Sequence, residues 1–231
     1  MTSNYVNNNR FLVAYSMIMS GSFGNKWMRF LRRYALFCVS IAGLSGCVTP
    51  PPRDMNNVCN IFKQYPRWYR DTKDVERCWR VPAYVQMAIM HQESRFDAQA
   101  KPPRTKLLWI IPWTRPSTAY GYAQALDSTW VLYKHSAGGM FASRDRFSDG
   151  VDFIGWYANQ ANRRAGISRS DPYALYLAYH EGVGGYMSKT YLKKPWLLNV
   201  AHKVEARAQI YQAQLLRCQD ALKRAWYKRW L

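Results

Sequence analysis

Acidic residues are scarce in this sequence: 14 Asp plus Glu stand against 33 Lys plus Arg in 231 residues, a formal net charge of +19. The imbalance sets no fold, but it means that the surface seeks anions; nucleic acid, an anionic membrane and an acidic polymer all qualify. Metal-ligand spacing is missing as well. No C-x-x-C occurs, and His91, His135, His180 and His202 show no metal spacing with cysteine or with one another, so neither a metal nor a cofactor is expected. Internal repeats are lacking, and no stretch alternates long enough for a major strand. What is abundant is apolar surface: 48% hydrophobic and 16% aromatic residues exclude disorder and suffice for the core of one domain.

The N-terminal region reads as an export signal. Arg29, Arg32 and Arg33 precede an apolar run from Tyr34 to Leu44, too short for a permanent span, which meets Leu44-Ser45-Gly46-Cys47. Those last four residues resemble the lipobox of bacterial lipoproteins, which implies that Cys47 is lipidated and becomes the first mature residue. Met1 to Trp27 hold a second apolar patch, Phe11 to Met19, so Met28 is a candidate start. Residues 1–46 are therefore expected to be extension and signal, 47–55 a lipidated tether stiffened by Pro50-Pro51-Pro52, and 56–231 the working domain. Loss of 1–46 removes five bases and no acid, which leaves +14. Val48 is not acidic, and by the same resemblance the expected destination is the periplasmic side of the outer membrane. Membrane attachment is expected through Cys47.

Asn56 to Leu231 reads as mostly helix. Pro82 opens a helix with Val85, Ile89 and Phe96 at helical spacing. Ser148 or Asp149 caps another, which carries Val151, Ile154, Tyr157 and Ala161 and ends at Gly166. Asp171-Pro172 starts a third, with Leu175, Ala178 and Tyr179 on one face. Pro195 starts the longest, whose stripe is Leu197, Val200, Val204, Ala208, Tyr211, Leu215 and Cys218. Lys106 to Trp113, bracketed by prolines, suits a small hairpin. The expected fold is all-α, with a hairpin or loop insertion near 101–116. Cys59 and Cys218 bracket the domain, and because domain termini are often close they are expected to pair, leaving Cys78 as a small buried thiol.

Three segments concentrate chemistry. In His91-Gln92-Glu93-Ser94-Arg95-Phe96, Glu93 continues an apolar stripe, and a desolvated carboxyl stays protonated near neutrality, as a general acid must. The competing reading is a carboxylate paired with a neighbouring arginine. Thr118 to Gln124 sets Gly121 between aromatics and ends in an amide, and Ala178 to Tyr186 ends a helix in glycines. In this order, Glu93-Ser94-Arg95-Phe96, Gly121-Tyr122-Ala123-Gln124 and Ala178-Tyr179-His180-Glu181-Gly182 resemble E-S-x-F, G-L-M-Q and A-Y-N-x-G of the lytic transglycosylases, the SLT domain of the goose-lysozyme-like superfamily. The resemblance, over roughly Val81 to Tyr186, implies a lysozyme-like helical domain with peptidoglycan glycan strands as substrate.

The resemblance further implies Glu93 as acid and then base, Tyr179 as a hydroxyl aimed at that carboxyl, and glycan contacts from Ser94, Gly121, Tyr122, Gln124 and His180. The implied reaction cuts the MurNAc–GlcNAc β-1,4 bond and leaves a 1,6-anhydro-MurNAc end, with the substrate's acetamido group stabilising the sugar cation. Tyr122-Ala123 replaces Leu-Met, and His180 replaces the asparagine. A lysozyme-type hydrolysis would recruit Asp97 or Glu181, but Asp97 suits an exposed turn and Glu181, beside glycines, a solvated position. A non-catalytic glycan binder stays open, supported by His180. A nucleic-acid binder using the basic, aromatic stretch Lys223 to Trp230 is disfavoured by export, so no nucleic-acid partner is expected. Leu107 to Trp113 is too apolar for an idle loop; it is expected to wall the glycan groove, with Trp109 or Trp113 stacking on sugar, or else to pack on the core.

Overall fold

The computed structural model describes residues 49–103, 106–107, 111–112 and 117–227. Cys47, Trp109, Trp113 and the last residues of the basic C-terminal stretch lie outside these. The compact unit is Thr49–Leu231. Its described elements are α1 (Val58–Gln64), α2 (Pro66–Trp79), α3 (Ala83–Ser94), β1 (Lys106–Leu107), β2 (Ile111–Pro112), α4 (Asp127–Tyr133), a π turn (Lys134–Gly138), α5 (Phe147–Ala165), α6 (Pro172–Met187), a 3₁₀ turn (Thr190–Lys193) and α7 (Pro195–Tyr227). The fold is all-α. Its one hairpin pairs β1 with β2, Leu107 opposite Ile111, inside the expected insertion.

The helix α3 runs through the centre. Every residue from Val85 to Met90 is buried, so the stripe read from the sequence is only one side of a helix enclosed all round. Helices α2, α5, α6 and α7 pack against it. Its Gln86 side chain is fully buried and donates its amide to the carbonyls of Val81 (2.7 Å) and Thr72 (3.1 Å). On α2, Trp68, Tyr69, Thr72 and Val75 form the buried face, and Trp68 stacks on Phe147 at 4.0 Å between ring centres. The helix α7 lays Leu197, Ala201, Val204, Ala208 and Tyr211 against α1, α3 and α6.

Start signals held with one shift. Asp171 caps α6 by accepting the Ala174 N–H at 2.9 Å, and Pro172 follows at the first helical position. The helix α5 starts at Phe147, ahead of Ser148 and Asp149. Asp149 instead accepts the Ser143 N–H (2.8 Å) and pairs with Arg146 (3.0 Å), so it braces the first turn from inside.

Cys59 on α1 and Cys218 on α7 form a disulfide, 159 residues apart in sequence with Cα atoms 6.1 Å apart. Cys78 is exposed, contrary to expectation, because Trp79 takes the inward position after Val75. The second half of the expected tether lies on the domain: the Pro50 carbonyl accepts the Tyr65 hydroxyl (2.7 Å), the Arg53 N–H reaches Gln64 (3.0 Å), and Pro52 is buried.

Closing so long a loop constrains the unfolded chain, so Cys59→Ser should cost about 5 kcal/mol at most in the chain-entropy picture. Peptide mapping of unreduced protein should return a Cys59–Cys218 cross-link and an alkylated Cys78; a Cys78 cross-link to either partner would contradict the structure.

Candidate active site

Glu93 is the penultimate residue of α3, at the helix end where the backbone dipole already opposes negative charge. Its side chain keeps some surface open, yet enclosure by protein pushes its pKa from the ordinary 4.5 to about 7. Desolvation is the cause, and a hydrogen bond from Tyr176 pulls the value back only in part. No cation contributes. Near neutrality a large fraction of this carboxyl therefore carries its proton.

Helix α3 stops just beyond Glu93 in an unusual turn. Arg95 and Phe96 both take left-handed backbone (φ 51° and 62°), costly for residues with a Cβ. Burial of Phe96 and its N–H bond to the Ser94 hydroxyl (3.1 Å) offset that cost. Ser94 also donates to the Met90 carbonyl (3.3 Å) and is 8% exposed, so it shapes this turn, and its hydroxyl proton is not available for the glycan contact expected of it.

The second motif is a tight loop bound to both neighbours. Tyr120 bridges Ala125, with Gly121 at φ 75° and Gln124 at φ 48°. A Cβ on Gly121 would stand 2.1 Å from the Arg144 carbonyl oxygen, so only glycine fits. Both the Gly121 N–H (3.0 Å) and the Gln124 amide (2.9 Å) donate to the carbonyl of Ala100, in the chain that follows the Glu93 turn; the amide also reaches the Gly121 carbonyl (2.9 Å). The Gln124 amide nitrogen is thus committed to the loop, and only its oxygen is left for a ligand. Tyr122 is 1% exposed and wedged edge-on against Trp68 and Phe147. It belongs to the core and presents no surface to a glycan, which corrects its expected place in the groove wall. Arg144, unforeseen, ties the loop ends together through the carbonyls of Thr118 (3.1 Å) and Ala125 (2.9 Å) and an ion pair with Asp127 (2.7 Å).

The third motif brings two tyrosines. The partner of the carboxyl is Tyr176, three residues before the expected Tyr179. Tyr179 instead donates to the Ala123 carbonyl at 2.6 Å, beside Glu93, whose charge helps hold that hydroxyl protonated. The i, i+3 spacing of Tyr176 and Tyr179 on one helix face was the available sign. At Gly182 (φ 76°, ψ 155°) the helix breaks, in open space where conformation alone calls for glycine.

Just before the break, Glu181 is not solvated as expected. Its side chain is 5% exposed and accepts from Lys194 (2.7 Å), Thr190 and His180 (3.1 Å), and these bonds lower its pKa to about 2. His180 is exposed, and its ring meets Trp196 edge-on at 5.1 Å. Asp97 accepts the Gln99 N–H (2.9 Å) within its own turn.

The site is thus one enclosed carboxyl at a helix end, with a pKa near 7, bonded to a tyrosine and framed by two bonded loops in a helical domain. Residues 35–218 match the family model described as Transglycosylase SLT domain, and the chain belongs to that family, whose activity is lytic transglycosylation of peptidoglycan. No curated protein matches the chain.

Because the Tyr176 bond favours the ionised form of Glu93, Tyr176→Phe should raise the carboxyl's pKa. The high-pH limb of the kcat profile should move to higher pH, with a lower plateau; an unmoved limb would mean that Tyr176 does not act on Glu93.

Proposed function

We propose that this protein cleaves the MurNAc–GlcNAc β-1,4 bond of peptidoglycan and leaves 1,6-anhydro-MurNAc ends, with Glu93 as the sole acid and base. The observation that carries this reading is a single carboxyl poised near pH 7 with no second carboxylate acting on it. Protonated Glu93 gives its proton to the leaving glycosidic oxygen, and the acetamido group of the substrate stabilises the sugar cation. The carboxylate so formed takes the proton of the 6-hydroxyl as that oxygen attacks C1. The proton returns to Glu93, and no water is consumed. A pKa about equal to the working pH serves both halves of this cycle.

Hydrolysis of the lysozyme type asks for a second carboxylate at the reacting carbon. Asp97 is engaged in its own turn, and Glu181 is locked in an ion pair and leaves the acidity of Glu93 untouched. Both observations favour the anhydro product. We further propose that Cys47 carries lipid and holds the domain at the periplasmic face of the outer membrane, within reach of the glycan strands.

Glu93→Gln should lower turnover by at least 10²–10⁴-fold, roughly the range for general acid–base catalysis, without loss of folding. Mass spectrometry of digested sacculi decides the product: reducing ends in place of anhydro ends would overturn the mechanism. A stability test follows with its sign. The folded pKa lies above the unfolded one, so the native state keeps its proton between about pH 4.5 and 7 and loses stability as pH rises through that window. Glu93→Gln escapes that loss. It should match wild type at pH 4 and exceed it at pH 8, by no more than about 3 kcal/mol.

A further inference from the structure

A depression of about 310 Å³ lies between the last turns of α3 and the middle of α7. Ala88, His91 and Gln92 line one wall; Lys203, Arg207 and Ile210 line the other. Gln92 directly precedes Glu93, so the depression and the carboxyl share the last turn of α3, with Gln92 turned toward α7 and Glu93 toward Tyr176 on α6.

Among the described residues the two cations of this depression have no anionic partner. Among the described residues neither Lys203 nor Arg207 has a carboxylate within ion-pair distance. The nearby acids are engaged elsewhere: Glu205 with His202 (3.2 Å) and Asp54 with Asn60 (2.9 Å). The Arg207 guanidinium is pre-set, 5.7 Å from the centre of the Tyr211 ring and donating one N–H to Asn56 (2.9 Å), which leaves further N–H groups for a ligand. His91, packed edge-on to Phe96 and Tyr211, is kept neutral by burial and by the positive field of Arg207 and Arg95. The result is a depression with two cations, one amide and an apolar floor of Ala88, Val204 and Ile210.

A held guanidinium and an exposed ammonium over an apolar floor suit a carboxylate borne on a small aliphatic residue. On the reading of the substrate as peptidoglycan, the glycan backbone is neutral while each lactyl carboxyl is amide-linked to a peptide, and the anionic chemistry then sits in the stem peptides, which carry carboxylates beside alanine methyl groups. We infer that the depression between α3 and α7 binds the stem peptide through Lys203 and Arg207, so that the protein reads peptide-bearing glycan and not sugar alone.

The test measures binding of the full chain carrying Glu93→Gln, which cannot consume its ligand. Two probes are compared at fixed salt: glycan strands that keep their stem peptides, and the same strands stripped by an amidase and then capped as the methylamide at each freed lactyl carboxyl, so that they expose no carboxylate. The expected result is binding to intact strands about 10-fold tighter, as one or two charge-assisted contacts would give, with the difference shrinking as salt rises. Adding Lys203→Ala, a substitution at an exposed site, should remove most of the preference without changing Tm, and adding Arg207→Gln should remove the rest. Equal binding to both strands, or a preference that survives both substitutions, overturns the inference while the peptidoglycan reading stands. Binding to phosphatidylglycerol vesicles that depends on Lys203, with no preference between strands, overturns it in favour of a lipid phosphate. Failure to bind either strand overturns the peptidoglycan reading and the inference with it.

Discussion

Everything near the reaction centre answers to one unpaired, enclosed carboxyl. In a chain with 33 lysines and arginines, the easiest fate for a buried glutamate is an ion pair, which would hold it ionised and useless as an acid. The fold prevents this two residues later. The left-handed turn at Arg95 and Phe96 sends the arginine to solvent and the phenylalanine into the core, so the nearest cation faces away from Glu93. The groups that do approach are Tyr176 and Tyr179, and burial keeps both protonated. A neutral donor tunes the carboxyl without neutralising it.

Holding that geometry falls to the second motif, which works as a hub. The Ala100 carbonyl takes two bonds from it, and the Ala123 carbonyl gives it a tie to Tyr179 on α6. The three motifs are therefore joined by short polar bonds to backbone as well as by packing. A displacement of one is felt by the others, and proximity catalysis depends on placement to within an ångström. The use of the Gln124 amide in this lock explains why a residue that reads as a substrate contact is chiefly part of the frame.

Four of the seven described helices, α3, α5, α6 and α7, were legible because their signals are local. Proline and aspartate starts, the Gly166 stop and apolar spacing each act within a few residues, and the structure reproduces them to within one or two positions. The disulfide partners were legible from their places at the two ends of the domain. What was not legible depends on direction. The sequence marks Tyr122 as a motif residue, but only the packing of Trp68 and Phe147 shows that it points inward. Tyr176 and Tyr179 share a helix face, and which of them meets Glu93 is decided by how α6 crosses α3. Cys78 was misjudged for a similar reason: after Val75 either of two neighbouring positions continues the buried face, and the larger Trp79 takes it.

The third motif carries the same lesson into the chain's departure from its family pattern. His180 replaces an asparagine, and on sequence alone that change supported a decayed site. The structure gives the imidazole its own partners. One ring nitrogen meets Glu181, and the ring edge meets Trp196, an indole 54% exposed. Glu181 is held in turn by Lys194 and Thr190, on the far side of the helix break at Gly182. The carboxylate is thereby bound to the segment that leads into α7, and the histidine is bound to the carboxylate. Such a network costs desolvation and repays it only when its hydrogen bonds are made, as they are here. The replacement therefore changes partners without leaving an orphaned polar group, and it spares the Tyr176–Glu93 bond one turn earlier on the same helix. The helix end has been rebuilt around histidine, and the acid that the fold protects is untouched by it.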